Sequence, residues 1–197
     1  MKRIACISLV LFSFLIPVAA QTSSGSWVRQ KAGTMAWLRS VFFLDHNRGW
    51  AVGSKGTLLS TVDGGQNWKS SPAPTSGIVR DILFLDEQNG WLVCEANQYE
   101  LKTKEQRRAY MMRTTDGGES WTRVELEGFD IDSVLVRAVV SRGGRGWAFG
   151  EQGAIYRTRD AGATWTALQS PTRRLLLGGI FVDDDRGWIV GAGATII

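Results

Sequence analysis

The chain has 197 residues, 44% hydrophobic and 21% charged, with 23 basic against 19 acidic side chains and a net charge of +4. A balance this close gives no reason to expect a nucleic-acid partner. Cys6 and Cys94 are the only cysteines and His46 the only histidine, which excludes a disulfide framework and a Cys/His metal site.

Residues 1–20 have the form of a secretory signal: Lys2 and Arg3, an apolar run from Ile4 to Val18, and the small residues Val18-Ala19-Ala20 before Gln21. The run is shorter than the roughly 20 residues of a membrane-spanning helix. Cleavage after Ala20 leaves 21 basic residues against 19 acidic, and it removes Cys6, which stands too early to be a lipid-modified cleavage cysteine. The product is expected to be exported, to the periplasm or beyond.

From residue 21 the chain is a repeat. Gly-Trp pairs end at Trp50, Trp91, Trp147 and Trp188, and a second signature, "TVDGGQNW", "TTDGGESW" and "TRDAGATW", carries Asp63, Asp116 and Asp160. Trp50 to Asp63 and Trp147 to Asp160 are both 13 residues, whereas Trp91 to Asp116 is 25, so the second unit holds an insertion of 12. Periods of roughly 40 to 50 residues mark propellers or helical arrays. Here short apolar runs alternate with Gly, Asp and Asn clusters, which predicts strands and turns.

The expected fold is therefore all-β, a β-propeller of four-stranded antiparallel blades. An outer strand is expected at about 26–30, around Trp27, then blade 1 at about 37–71 and blade 2 at about 78–124 with its insertion at 94–112. Blade 3 follows at about 134–168, and part of blade 4 at about 175–197. Trp27 precedes Arg39 by 12 residues, as Trp68 precedes Arg80, so it sits where a fourth strand belongs although no first three strands come before it. About three and a half blades make an open arc, the expectation for a truncated chain.

The Asp motifs are expected to close turns between third and fourth strands. Asp63, Asp116 and Asp160 would accept turn amides two residues on, Gly65, Gly118 and Gly162 would supply permissive backbone, and Trp68, Trp121 and Trp165 would pack down on the blade. A fold motif is needed once per blade, an active site only once.

These motifs resemble the Asp-box of bacterial-neuraminidase-type repeats. Together with "FFLDHNRGWAVGSKGTLLSTVDGG" they are more similar to the photosystem II stability and assembly factor family and its secreted bacterial relatives, over nearly the whole chain after the signal. The resemblance implies a seven-bladed propeller without enzymatic activity, monomeric when full length, in the thylakoid lumen where the source is photosynthetic. It implies a protein partner, a membrane being approached only through that partner. It also implies a patch of arginines recurring with the repeat. Arg39 and Arg80 precede their Gly-Trp tryptophans by 11 residues and Arg137 by 10, and the inserted "LKTKEQRR" adds Lys102, Lys104, Arg107 and Arg108 to the same face. Guanidinium groups read carboxylates in bidentate fashion, so this face suits an acidic segment.

The alternative is a glycan-binding or glycan-cleaving propeller of sialidase type. Its nucleophile would be one of Tyr99, Tyr110 and Tyr156, none in a nucleophile's context, and the acids Asp183 to Asp185 align with the turns "DHNRG" and "DEQNG". The same three acids are a weak signal for Ca²⁺. The runs "SRGGRG" and "GAGA" stand between no strand and helix, so they are not phosphate loops. No catalytic constellation, metal site or cofactor site emerges.

Overall fold

The computed structural model describes residues 25–97, 99, 101, 108–124, 126–128, 133–141, 143–184 and 186–197. The expected signal at 1–20 lies outside them. Four sheets follow one another along the chain. The first orders β1 (Leu38–Phe43), β2 (Gly49–Gly53), β3 (Leu58–Thr61) and β4 (Lys69–Ser70) as an antiparallel meander. The second repeats it with β5 (Ile78–Phe84), β6 (Gly90–Glu95), β7 (Ala109–Thr114) and β8 (Thr122–Val124). A short strand, β9 (Leu126–Glu127), then pairs in parallel with the outer edge of the third sheet, β10 (Leu135–Val140), β11 (Gly146–Gly150), β12 (Ile155–Thr158) and β13 (Trp165–Ala167). The fourth sheet is β14 (Leu176–Phe181), β15 (Gly187–Gly191) and β16 (Thr195–Ile196). This is an open arc of propeller blades.

Side-chain alternation explains why the sheets stack. Along β6, Trp91 and Val93 join the core shared with blade 3, and Leu92 and Cys94 join the core shared with blade 1. Neighbouring residues of a strand point to opposite faces, so an inner blade must be apolar on both. The Gly-Trp tryptophans of blades 1 to 3 lean on the next blade. Trp50 stacks on Phe84 with ring centroids 3.8 Å apart, and Trp147 on Phe181 at 3.7 Å. Blade 3 offers Val140 where the others offer Phe, and there Trp91 lies fully buried against Gly162, whose Cα leaves no room for a Cβ beside the indole nitrogen.

Two expectations change here. Residues 26–30 form no strand, and Trp27 is fully exposed, because none of the described strands lies beside it to supply a ladder. The sequence also gave no sign of β9. Its Leu126 side chain is buried opposite Trp165, capping a blade edge that in blades 1 and 2 has no such strand among the described residues.

Candidate functional site

The blades have two chemically different ends. At one end the chain enters each first strand, and the turn between second and third strands returns to it: Ser54 N donates to Trp37 O at 3.0 Å and Gly56 N to Gly77 O at 2.7 Å. At the other end the Asp motifs meet the turns between first and second strands. Gly64 N donates to Asn47 O at 2.9 Å, Gly117 N to Gln88 O at 3.0 Å and Ala161 N to Gly144 O at 2.8 Å.

At the Asp end every motif carboxylate is consumed by its own turn. The Thr61 hydroxyl donates to Asp63 Oδ1 at 2.8 Å, and Asn67 donates through its amide at 2.9 Å and its side chain at 2.8 Å. Asp116 receives Thr114 Oγ1 at 2.6 Å, Ser120 N at 3.0 Å and Ser120 Oγ at 2.5 Å. Asp160 receives Thr158 Oγ1 at 2.7 Å, Thr164 N at 2.9 Å and Thr164 Oγ1 at 2.6 Å. The amide partner is thus four residues on, not two. Gly64 and Gly65, at φ +70° and +85°, fold the chain back far enough to bring the fourth residue onto the carboxylate.

These bonds act on the charged form. The Asn67 amide lowers the pKa of Asp63, and the Ser120 hydroxyl does so more strongly for Asp116. For Asp160 burial works in the opposite direction, yet the Thr164 and Thr158 hydrogen bonds hold its carboxyl at about 2. Asp45, Asp86 and Asp183 are likewise spent on turn amides: Arg48 N at 2.8 Å, Asn89 N at 2.7 Å and Arg186 N at 2.8 Å. Asp184 takes the Ser141 hydroxyl at 2.5 Å, and Asp185 lies outside the described residues.

The arginine end differs. The β1–β2 ladder is interrupted between Leu38 and Ser40, which sets Arg39 at a bulge, and the β5–β6 ladder is interrupted between Val79 and Asp81, which sets Arg80 at the same place. In blade 3 the interruption falls between Leu135 and Arg137, so the equivalent residue is Val136. Arg137 is therefore not a third member of the Arg39 and Arg80 series. It shares the register position of Ser40 and Asp81, and its one-residue offset from Trp147 was the sign.

Ser40, Asp81 and Arg137 meet each other. Ser40 Oγ donates to Asp81 Oδ1 at 2.6 Å, Ala138 N donates to Oδ2 at 3.2 Å, and Arg137 Nε stands 3.8 Å from Oδ2. One buried carboxylate thereby ties the first strands of three successive blades. Burial pushes its pKa up, against the pull of Ser40, Ala138 and Arg137.

Arg39 is exposed and has no ion pair among the described residues. Arg80 is engaged: its Nε and Nη2 reach Glu95 Oε2 at 2.9 and 2.5 Å, while Arg108 Nη2 reaches Oε1 at 2.6 Å. Lys102, Lys104 and Arg107 lie outside the described residues. Sequence reasoning singled out neither Glu95 nor Asp81, nor the Thr61, Thr114 and Thr158 hydroxyls. The threonines had a visible signal, Thr-x-Asp in every motif, and Glu95 had one in the way "VCE" replaces "VGS" after the Gly-Trp pair. Among the described residues no cluster of His, Cys, Asp and Glu is suited to a metal ion.

The fold and its two ends define a propeller whose motif carboxylates serve turns at one end, with Arg39, Arg80, Arg108 and Arg137 at the other. The family model "Photosynthesis system II assembly factor YCF48" matches residues 19–172, and the chain belongs to that family. It is 28% identical over 177 residues to the chloroplastic photosystem II stability/assembly factor HCF136 of Arabidopsis thaliana, covering 85% of this chain and 41% of that protein. Identity is 30% over 145 residues to the photosystem II assembly lipoprotein Ycf48 of a Synechococcus species, covering 74% of this chain and 40% of the relative. The chain thus spans about two fifths of the curated relatives it matches.

A solved structure described as YCF48 bound to D1 peptide superposes with a TM-score of 0.59 at 26% identity, over 82% of this chain and 54% of that one. An ancestral GH74 enzyme superposes with a TM-score of 0.55 at 10% identity, over 81% of this chain and 25% of its own, which is a likeness of fold alone. The two curated relatives are named as assembly factors, not as enzymes.

Proposed function

We propose that the chain is part of an exported, non-catalytic propeller that holds a protein partner by an acidic segment laid across the end bearing Arg39, Arg80 and Arg108. The observation that carries this is the asymmetry of the two ends. Asp63, Asp116 and Asp160 are each saturated by hydrogen bonds of their own turns, whereas Arg39 projects at a bulge with no counter-ion among the described residues. A guanidinium in that state keeps its planar array of donors for a carboxylate brought by a partner. Arg137 contributes charge at the same end, and Lys102, Lys104 and Arg107 belong to the segment leading to Arg108. A related protein's structure with a D1 peptide makes a peptide of that kind a reasonable first ligand to try.

The test is a titration of the protein with a D1 peptide and with an acidic peptide of equal length, in wild type and in Arg39→Glu. The variant is expected to lose at least about tenfold in affinity, the loss of a charge-assisted contact and its replacement by repulsion. Its melting temperature should hold within about 1 °C, because an exposed side chain with no ion pair among the described residues contributes little to stability. Binding of both peptides unchanged by Arg39→Glu would overturn the reading.

A further inference from the structure

Blade 1 and blade 2 present the same register position in two electrostatic states. Four residues after the Gly-Trp tryptophan, blade 1 has Ser54 and blade 2 has Glu95. Arg39 is consequently left without a counter-ion among the described residues, while Arg80 is neutralised within its own blade. Glu95 serves a second cation as well, Arg108, so one carboxylate of 10% side-chain exposure holds two guanidinium groups together. Burial raises its pKa, and the hydrogen bonds from Arg80 and Arg108 more than offset that, leaving the carboxylate firmly charged.

The pair is not fully satisfied. Arg108 Nε is buried and has no hydrogen-bond partner. Arg108 and Glu95 also line a groove of about 480 Å³ between the second turn of blade 1 and the start of blade 2, with Lys55, Gly77, Ala96 and the exposed Tyr99 on its walls. Its size lies in the range of small-ligand and side-chain pockets. A groove bearing a lysine, a partly satisfied arginine and an aromatic ring favours an anion, and among its described lining residues the one anion is the protein's own Glu95.

We propose that Glu95 is a built-in placeholder: its carboxylate occupies the subsite, between Arg80 and Arg108, that an acidic side chain or terminal carboxylate of a bound peptide takes over. The inference rests on the arginine-face reading of the preceding subsection. Exchange of one carboxylate for another conserves the number of charge-assisted hydrogen bonds, so a ligand gains there only by what else it contacts in the groove. Glu95 thereby sets a threshold. Peptides that merely carry negative charge bind weakly, and those that also fill the groove against Tyr99 and Lys55 displace it.

The experiment measures the affinity of a fluorescein-labelled hexaglutamate peptide for wild type, Glu95→Gln, Glu95→Asp and Arg39→Glu. The amide of Glu95→Gln keeps shape and an acceptor but removes the charge. Its affinity is expected to rise at least about fivefold over wild type, roughly 1 kcal/mol by the conversion of about 1.4 kcal/mol per tenfold. Glu95→Asp, too short to reach both arginines, should fall between the two. Circular dichroism checks that each variant is folded, and Glu95→Asp carries the test should Glu95→Gln unfold. Binding by the neutralised variant alone also supports the placeholder. Affinity unchanged or lowered in both Glu95 variants, with Arg39→Glu still weakening wild type, overturns the placeholder and leaves the arginine face standing. No binding by any form overturns both.

Discussion

Two strands with nearly the same sequence pattern behave differently. In blade 2, β6 (GWLVCE) is buried at every position, and Trp91 is 0% exposed. In blade 4, β15 (GWIVG) buries only Ile189 fully, and Trp188 is 50% exposed. The local strand geometry is the same, with the same antiparallel pairing to the first strand and the same bulge. What differs is the company. Trp91 is covered by blade 3, whereas none of the described blades stands against Trp188. A blade is thus a surface pattern that becomes a core only through its neighbour, as expected where each repeat contacts only the next.

The largest effect should come from removing the shared tryptophan. Trp91→Ala is expected to destabilise by about 3 to 5 kcal/mol and Trp188→Ala by less than about 1.5, because only the first vacates a closed core. Urea denaturation of both variants measures the gap, and equal losses would break the comparison.

Glycines sharpen it at the scale of single atoms. Gly65 and Gly162 occupy the same place in their Asp motifs and share positive φ, +85° and +71°. A Cβ on Gly65 would meet Trp68 no closer than 3.5 Å, but on Gly162 it would overlap the Trp91 indole. Gly65→Ala should therefore lose only the backbone term, about 1 kcal/mol. Gly162→Ala should lose that and a packing penalty, about 2 to 4 kcal/mol together, read from the shift in denaturation midpoint.

The smallest effect is on acid stability. Asp160 has its carboxyl held at about 2 in the folded protein, below its value of about 3.9 in an unfolded chain. A depressed folded pKa adds stability that is complete above the unfolded value and is lost as pH falls through the folded one. Thermal stability should decline between about pH 4 and pH 2, and Asp160→Asn, which keeps shape but cannot titrate, should show a shallower decline. Melting curves across that window check both, and an unchanged slope would count against the turn assignment.

The propeller was legible because its signals are local. A Gly-Trp pair at a strand start and Thr-x-Asp before a tight turn declare themselves in any unit, whatever lies beside it. The site was less legible because it depends on register and on neighbours. Arg137 looked like a companion of Arg39 and Arg80, yet it stands 10 residues before its tryptophan where they stand 11, so Val136 takes the bulge position instead. Asp81 gives no sequence sign of its role, because its partners Ser40 and Arg137 come from other blades, and the sign at Glu95, a Glu where blade 1 has Ser54, does not name Arg108, which the insertion supplies. Residues 26–30 read as a strand, but a strand needs a ladder, and the described chain offers none.

The central claim is that ligands meet the arginine end and not the Asp end. Hydrogen–deuterium exchange with and without a saturating acidic peptide tests it most directly. The account predicts new protection at Leu38 to Ser40, Ser54 to Gly56 and Gly77 to Arg80, with Asp63 to Asn67, Asp116 to Ser120 and Asp160 to Thr164 unchanged. Protection confined to those three Asp turns would contradict it.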